Sequence, residues 1–197
     1  MPNTGWVSPG TVTGVSWTAS DAGTLLNAVT SDDNDWAQSA GSNTNYLTCS
    51  NFGMSIPGGS TIEGLEVRIR CSVVGAYVGT AKIGVEIGKV IATPLGNELT
   101  DVFTGYPPDV DVVFGSAVWL WETSFTVGEV NDTGLSVYVR LGSDSVMVSN
   151  YQVDQVQMRV HYSEGGAVGG VIGAAGQMRY TPDITSRPMF SGIAKER

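Results

Sequence analysis

In the stretch TIEGLEVRIRC, Leu65, Val67, Ile69 and Cys71 alternate with Glu66, Arg68 and Arg70. Successive side chains of a strand point to opposite faces, so this alternation sends one face to a core and the other to water. Such a strand does not stand alone. It needs neighbours in a sheet and a second layer over its apolar face. Just upstream, Pro57-Gly58-Gly59 suits a tight turn, because proline presets one φ and glycine accepts positive φ.

The rest of the chain supplies segments of the same kind. Ala81, Ile83, Val85 and Ile87 alternate with Lys82, Gly84 and Glu86, so residues 61–74 and 77–92 are expected to pair as antiparallel neighbours. Leu135, Val137, Val139 and Leu141 alternate with Ser136, Tyr138 and Arg140. Val156, Met158, Val160 and Tyr162 stand opposite Gln155, Gln157, Arg159 and His161. Residues 110–121 are apolar on both sides and read as a strand covered on both faces. Short strands are expected at 15–19 and 46–49. One helical turn is expected within 21–29, capped by Ser20 or Asp21, and another within 126–132. Residues 31–35 read as a polar loop, with turns at 94–97, 106–109 and 142–144.

No long helical period appears, and no repeat of fixed length. The expected fold is all-β: an antiparallel β-sandwich, jelly-roll-like, over residues 15–163. A chain of 197 residues forms one large β domain and buries about 70% of its unfolded surface, so it needs no disulfide. Residues 1–14, rich in Gly, Pro and Thr with Trp6 as the large anchor, read as an N-terminal arm or edge segment.

After Ser163 the character changes. Residues 164–176 (EGGAVGGVIGAAG) are glycine and alanine with three larger aliphatics. Gly165, Gly169 and Gly173 form a G-x-x-x-G series, but the apolar run is about half the ~20 residues of a membrane span. A flexible linker is the better reading. Residues 177–197 have no strand alternation and carry isolated anchors: Met178, Tyr180, Ile184, Met189, Phe190 and Ile193. They hold four basic residues against two acidic ones, whereas residues 1–163 hold six against sixteen. The segment reads as an extended C-terminal arm that docks through those anchors, with Pro182 and Pro188 keeping it extended.

The net charge of −9 argues against nucleic-acid binding, which relies on Lys and Arg at phosphates. No membrane association is expected, and the start MPNTGWVSPG has no signal-peptide character. Cys49 and Cys71 are therefore expected as buried free thiols. His161 is the one histidine, so any Ser-His or Cys-His mechanism runs through it. At a strand end on the polar side, it reads as a surface residue. No P-loop, H-E-x-x-H or G-x-S-x-G pattern is present.

Asp32, Asp33 and Asp35 bunch with Asn34. An oxygen-rich loop is a Ca²⁺ candidate, yet Asx turns account for such a loop by their own hydrogen bonds. Turn chemistry is the preferred reading and no cofactor is expected. Asp109 and Asp111 beside a diproline are a weaker case. Trp6, Trp17, Trp36, Trp119, Trp121, Tyr106 and Tyr151 are aromatics for a carbohydrate site or for packing, and packing is preferred. Asn131-Asp132-Thr133 is a formal glycosylation sequon read as a turn.

Two segments together resemble a known group. They are NAVTSDDNDWAQ with NYLTCSNFGMSIPGGSTIEGLEVRIR, and WLWETSFTVGEVNDTGLSVYVRL with VDQVQMRVHY. This resembles β-sandwich virion proteins of tailed bacteriophages and prophages, whose centre runs F-G-F-x-I-P-x-G-A-x-I-x-G-I-x-V. Here Met54, Ser60 and Leu65 replace the second aromatic, the alanine and the isoleucine. The resemblance covers roughly residues 17–163 and leaves 164–197 outside. It implies a non-enzymatic structural protein located in the virion, with capsid or tail subunits as partners and a homo-oligomeric state. A capsid decoration or minor head protein is favoured. The alternative is a tail or tail-fibre component acting as a carbohydrate- or receptor-binding module.

Overall fold

The 61–74 alternation becomes one of the two 14-residue strands at the centre of one sheet of a two-layer sandwich. The computed structural model describes residues 1–21, 23–40, 45–74, 80–104, 109–143 and 150–165. In chain order the strands are β1 (Thr11–Gly14), β2 (Thr18–Ala19), β3 (Ala37–Ala40), β4 (Leu47–Ser50), β5 (Thr61–Val74), β6 (Thr80–Gly88), β7 (Leu99–Thr104), β8 (Val110–Gly115), β9 (Ser136–Ser143) and β10 (Asn150–Ser163). Two short helices are α1 (Asn27–Thr30) and α2 (Val127–Asn131). The body is Met1–Gly165. Of the linker expected at 164–176 and the arm expected at 177–197, residues 166–197 with all six anchors lie outside the described residues, as do Tyr106, Pro107, Pro108 and Asp144.

One sheet runs β1-β4-β9-β6-β7 and the other β2-β3-β10-β5-β8, and the strand pairs are antiparallel. From β3 onward the chain changes sheet at every connection except the β6–β7 hairpin. That is the jelly-roll order of two four-stranded sheets, extended at one side by β1 and β2.

This topology corrects the expected pairing of 61–74 with 77–92. β5 lies between β10 and β8, while β6 lies between β9 and β7 in the other sheet. The physical reason is visible in the core. Leu65, Val67 and Ile69 of β5 and Ile83, Val85 and Ile87 of β6 are all essentially inaccessible. Placing the two strands in opposite layers lets their apolar faces close one core. In register, Val67 sits between Met158 and Phe114, and Val85 opposite Val139.

Residues 110–121 are not one doubly covered strand. β8 is the outer strand of its sheet, with Asp111 and Val113 exposed, and it stops at Gly115. There φ is +87°, and a Cβ would lie 2.1 Å from the Leu65 carbonyl oxygen. The chain then crosses β5 at Gly64, where a Cβ would meet the Ser116 oxygen at 2.3 Å. The Leu65 N–H donates to the Trp119 carbonyl (3.2 Å), and Trp121 Nε1 donates to the Leu65 carbonyl (3.1 Å). Val118, expected to be covered, is 75% exposed at the tip of this crossing.

The first helical turn is later than expected. α1 begins at Asn27 without a side-chain bond from its cap position, and the Thr24 hydroxyl accepts the Asn27 N–H at 3.3 Å. Ser20 and Asp21 bond Asp35 instead. α2 lies where expected and carries a capping box between Thr126 and Glu129. The 15–19 strand shrinks to Thr18–Ala19, because Ser16 (φ +65°) turns the chain from one sheet to the other. β3 has no counterpart among the expected elements.

The glycine-aromatic stretch before β5 is a packing device. Phe52, Met54 and Ile56 are buried, and Asn51 and Gly53 take φ of +57° and +60°. The Asn131 side chain holds both main-chain groups of Ile56, accepting its N–H at 2.9 Å and donating to its carbonyl at 3.0 Å. The sequon asparagine thus has a structural role.

Candidate functional site

The outer face of β5 and β10 carries the densest polar arrangement among the described residues. Strand register sets it up: Glu66 opposes Arg159, Arg68 opposes Gln157, and Arg70 opposes Gln155. Glu66 Oε2 accepts from Arg159 Nε at 2.7 Å, lies 2.6 Å from Arg159 Nη2, and is 2.7 Å from His161 Nε2. A carboxylate only accepts, so Nε2 is the donor. Burial pushes the Glu66 carboxyl up, but the bonds from His161 and Arg159 outweigh it and hold it below the usual range.

His161 was expected on the surface. It is buried, 7% exposed. Two neighbours explain this. It pairs with Gly64, the residue over which the Ser116–Ala117 backbone crosses. On its other side the N-terminal segment runs along β10: Asn3 bridges His161, Val7 bridges Met158, and the Thr4 N–H donates to the Val160 carbonyl. Residues 1–14 thus combine a segment on β10 with the edge strand β1. Trp6 lies over two guanidinium groups, 4.3 Å from Arg159 and 5.0 Å from Arg68, in cation–π geometry. Arg68 in turn bonds Gln157 and Gln155.

Further along the same face, Arg70 collects three carboxylates: Asp32 at 3.2 Å, Asp154 at 3.4 Å and Asp109 at 3.5 Å. Asp154 is the extra residue at a register shift in β10 and is fully buried. Burial, then the neighbouring Asp32 carboxylate, push it up to about 6, against the pull of Arg70.

The Asp32, Asp33 and Asp35 carboxylates turn to different partners. Asp32 meets Arg70. Asp33 accepts from the Ser31 hydroxyl and the Asp35 N–H. Asp35 accepts from the Ser20 hydroxyl and the Asp21 N–H. The three carboxylates do not converge on one point, and the described residues contain no group of three or more His, Cys, Asp or Glu arranged to hold a metal.

Of the aromatics, Trp17, Trp36, Trp121 and Tyr151 are buried, and Tyr106 lies outside the described residues. Trp6 and Trp119 are half-buried, and Trp119 stacks on Trp121 at 5.1 Å. Cys49 and Cys71 are free and buried. Burial pushes the Cys71 thiol up to about 12, with Asp101, Asp111 and Asp109 adding to it, and raises Cys49 further. Neither thiol is poised as a nucleophile.

The outer face of the other sheet is closed by the chain around 89–98. Tyr138 donates to the Val90 carbonyl and accepts the Thr93 N–H. Glu86 takes the Tyr46 hydroxyl and the Gly96 N–H. Sequence reasoning missed both polar clusters. Their only trace was the polar alternate positions of the strands.

No family model matches the chain, and no curated protein matches it. Among solved structures it is similar to the CBM22-1 xylan-binding domain of Paenibacillus barcinonensis Xyn10C, with 14% identity, 79% of this chain and 85% of that one covered, and a TM-score of 0.36. A CBM4 structure is similar at 16% identity over 78% and 93%, with a TM-score of 0.38. The infectious bursal disease virus Gx strain structure is similar at 11% identity over 80% and 34%, with a TM-score of 0.29. At these values the likenesses carry no assignment of ligand or partner.

Proposed function

We propose that this chain is a non-enzymatic structural protein of a tailed-phage virion, a capsid decoration or minor head protein that docks through residues 177–197. One observation carries the reading. Among the described residues the buried core forms within Met1–Gly165, and a segment of opposite charge, dotted with isolated apolar anchors, follows in the sequence. Singly spaced anchors build no core of their own, yet they suit separate pockets on a partner. Gly165, the last residue of the body, lies beside the Pro57–Gly59 turn, since a Cβ there would be 2.0 Å from the Gly59 oxygen.

The non-enzymatic part of the reading rests on the imidazole and the thiols. His161 is engaged with Glu66, and both cysteines are buried. The test is truncation after Gly165. The body is expected to keep its melting temperature and to lose incorporation into particles. Normal incorporation of the truncated chain refutes the docking role.

A second reading, a carbohydrate- or receptor-binding module on a tail or tail fibre, is favoured by Trp6. Its half-buried ring lies on a sheet face that also carries Gln155 and Gln157. Flat aromatic surface beside amides suits stacking and hydrogen bonding to a sugar. Equal retention of wild type and Trp6→Ala on immobilised host polysaccharide removes this reading.

A further inference from the structure

The sandwich has four outer strands, and three carry a device against further pairing. β1 has four residues and β2 has two. On β7 the Asp101 carboxylate accepts the Val102 N–H at 2.8 Å, which occupies a main-chain donor. β8 is different. It has six residues and, among the described residues, pairs only with β5. Among the described residues, no further main-chain bond reaches Val110–Phe114. Its inward side chains Val112 and Phe114 are buried, its outward Val113 is 50% exposed, and Asp111 is exposed. Native sheets blunt edges of this kind, and an unblunted edge is a template for an added strand.

We propose that residues 177–181 of a second copy, Gln-Met-Arg-Tyr-Thr, add to the free edge of β8 as a short extra strand. This rests on the reading of 177–197 as a docking segment and names its acceptor. The run as a whole has no alternation, but its first five residues set Met178 and Tyr180 on one side and Arg179 on the other. Pairing with β8 places Arg179 on the outer face beside Asp111. Met178 and Tyr180 then turn to the inner side, next to Val112 and Phe114.

Charge favours the match. The β8 end carries Asp109 and Asp111, and the donor segment carries a surplus of basic residues. Pro182 ends the added strand, because it has no N–H to give to a ladder. Residues 166–176, eleven in number, span at most about 40 Å when extended, enough to pass between copies.

The experiment uses the full-length chain and reads self-association by light scattering. Wild type is expected to dimerise or form larger oligomers. Asp111→Arg, a surface change that leaves the core intact, is expected to weaken association by on the order of tenfold or more. Arg179→Glu in the same chain is expected to restore it. A mixture of an Asp111→Cys chain with an Arg179→Cys chain is expected to give a disulfide-linked heterodimer, the native thiols being buried.

Self-association unchanged by Asp111→Arg overturns the proposal, as does a wild type that stays monomeric. A cross-link formed only when both cysteines are in one chain also overturns it, by showing that the segment folds onto its own body. If Asp111→Arg enters particles normally while the chain truncated after Gly165 does not, the docking segment stands and the β8 acceptor falls.

Discussion

Gly64→Ala is the sharpest test of how this fold is held together. Gly64 has a φ outside the left-handed region, so alanine meets no conformational objection there. The objection is spatial. Its Cβ would lie 2.3 Å from the Ser116 oxygen and 2.4 Å from the Ala117 carbonyl carbon, both main-chain atoms. The crossing segment must move away from β5. Two bonds then go: Leu65 N–H to the Trp119 carbonyl, and Trp121 Nε1 to the Leu65 carbonyl. Each is worth about 1 kcal/mol, and the overpacking strain about 1–3 kcal/mol. The expected loss is therefore about 3–5 kcal/mol, a large share of the ~5–15 kcal/mol that stabilises a typical domain. Urea denaturation followed by tryptophan fluorescence reads it directly, because Trp121 is buried against Trp119. Gly53→Ala is the control. Gly53 has φ +60° and open space around its Cβ position, so only the left-handed penalty of about 1–2 kcal/mol applies. A Gly64→Ala midpoint equal to wild type, or a larger loss for Gly53→Ala, refutes the crossing argument.

Val67→Asp buries an unpaired carboxylate between Met158 and Phe114 and is expected to cost several kcal/mol; an unchanged melting temperature contradicts the assigned face of β5. His161→Ala strips one donor from the buried side of Glu66 and is expected to cost about 1–3 kcal/mol, leaving particle incorporation intact; hydrolytic activity lost without loss of folding overturns the non-enzymatic reading. Asp154 supplies a pH signature. Its folded pKa of about 6 lies above the ordinary carboxylate value, so the folded state holds the extra proton and stability falls as pH rises from about 4 to 6. Asp154→Asn is expected to remove that component, and a wild-type minus variant stability difference that is flat between about pH 4.5 and 7 refutes it.

Much of the body was legible because alternation is local. Leu65, Val67 and Ile69, Val137 and Val139, and Val156, Met158 and Val160 go to the core as their spacing implies, since a period of two decides which side of a strand is buried. A helical turn within 126–132 was also legible, and the structure adds the Thr126–Glu129 capping box that closes it. The same period says nothing about which strand lies alongside. β5 next to β10 and β8, and β6 across the core, were settled by the closure of two apolar faces on one another, which involves residues far apart in the chain. His161 and Asp154 were beyond reach for the same reason. One is enclosed by a distant N-terminal segment and a crossing over Gly64, the other by a bulge beside Asp32 and Arg70. A polar side chain's burial depends on what the rest of the chain lays over it, and only the folded topology brings those pieces together.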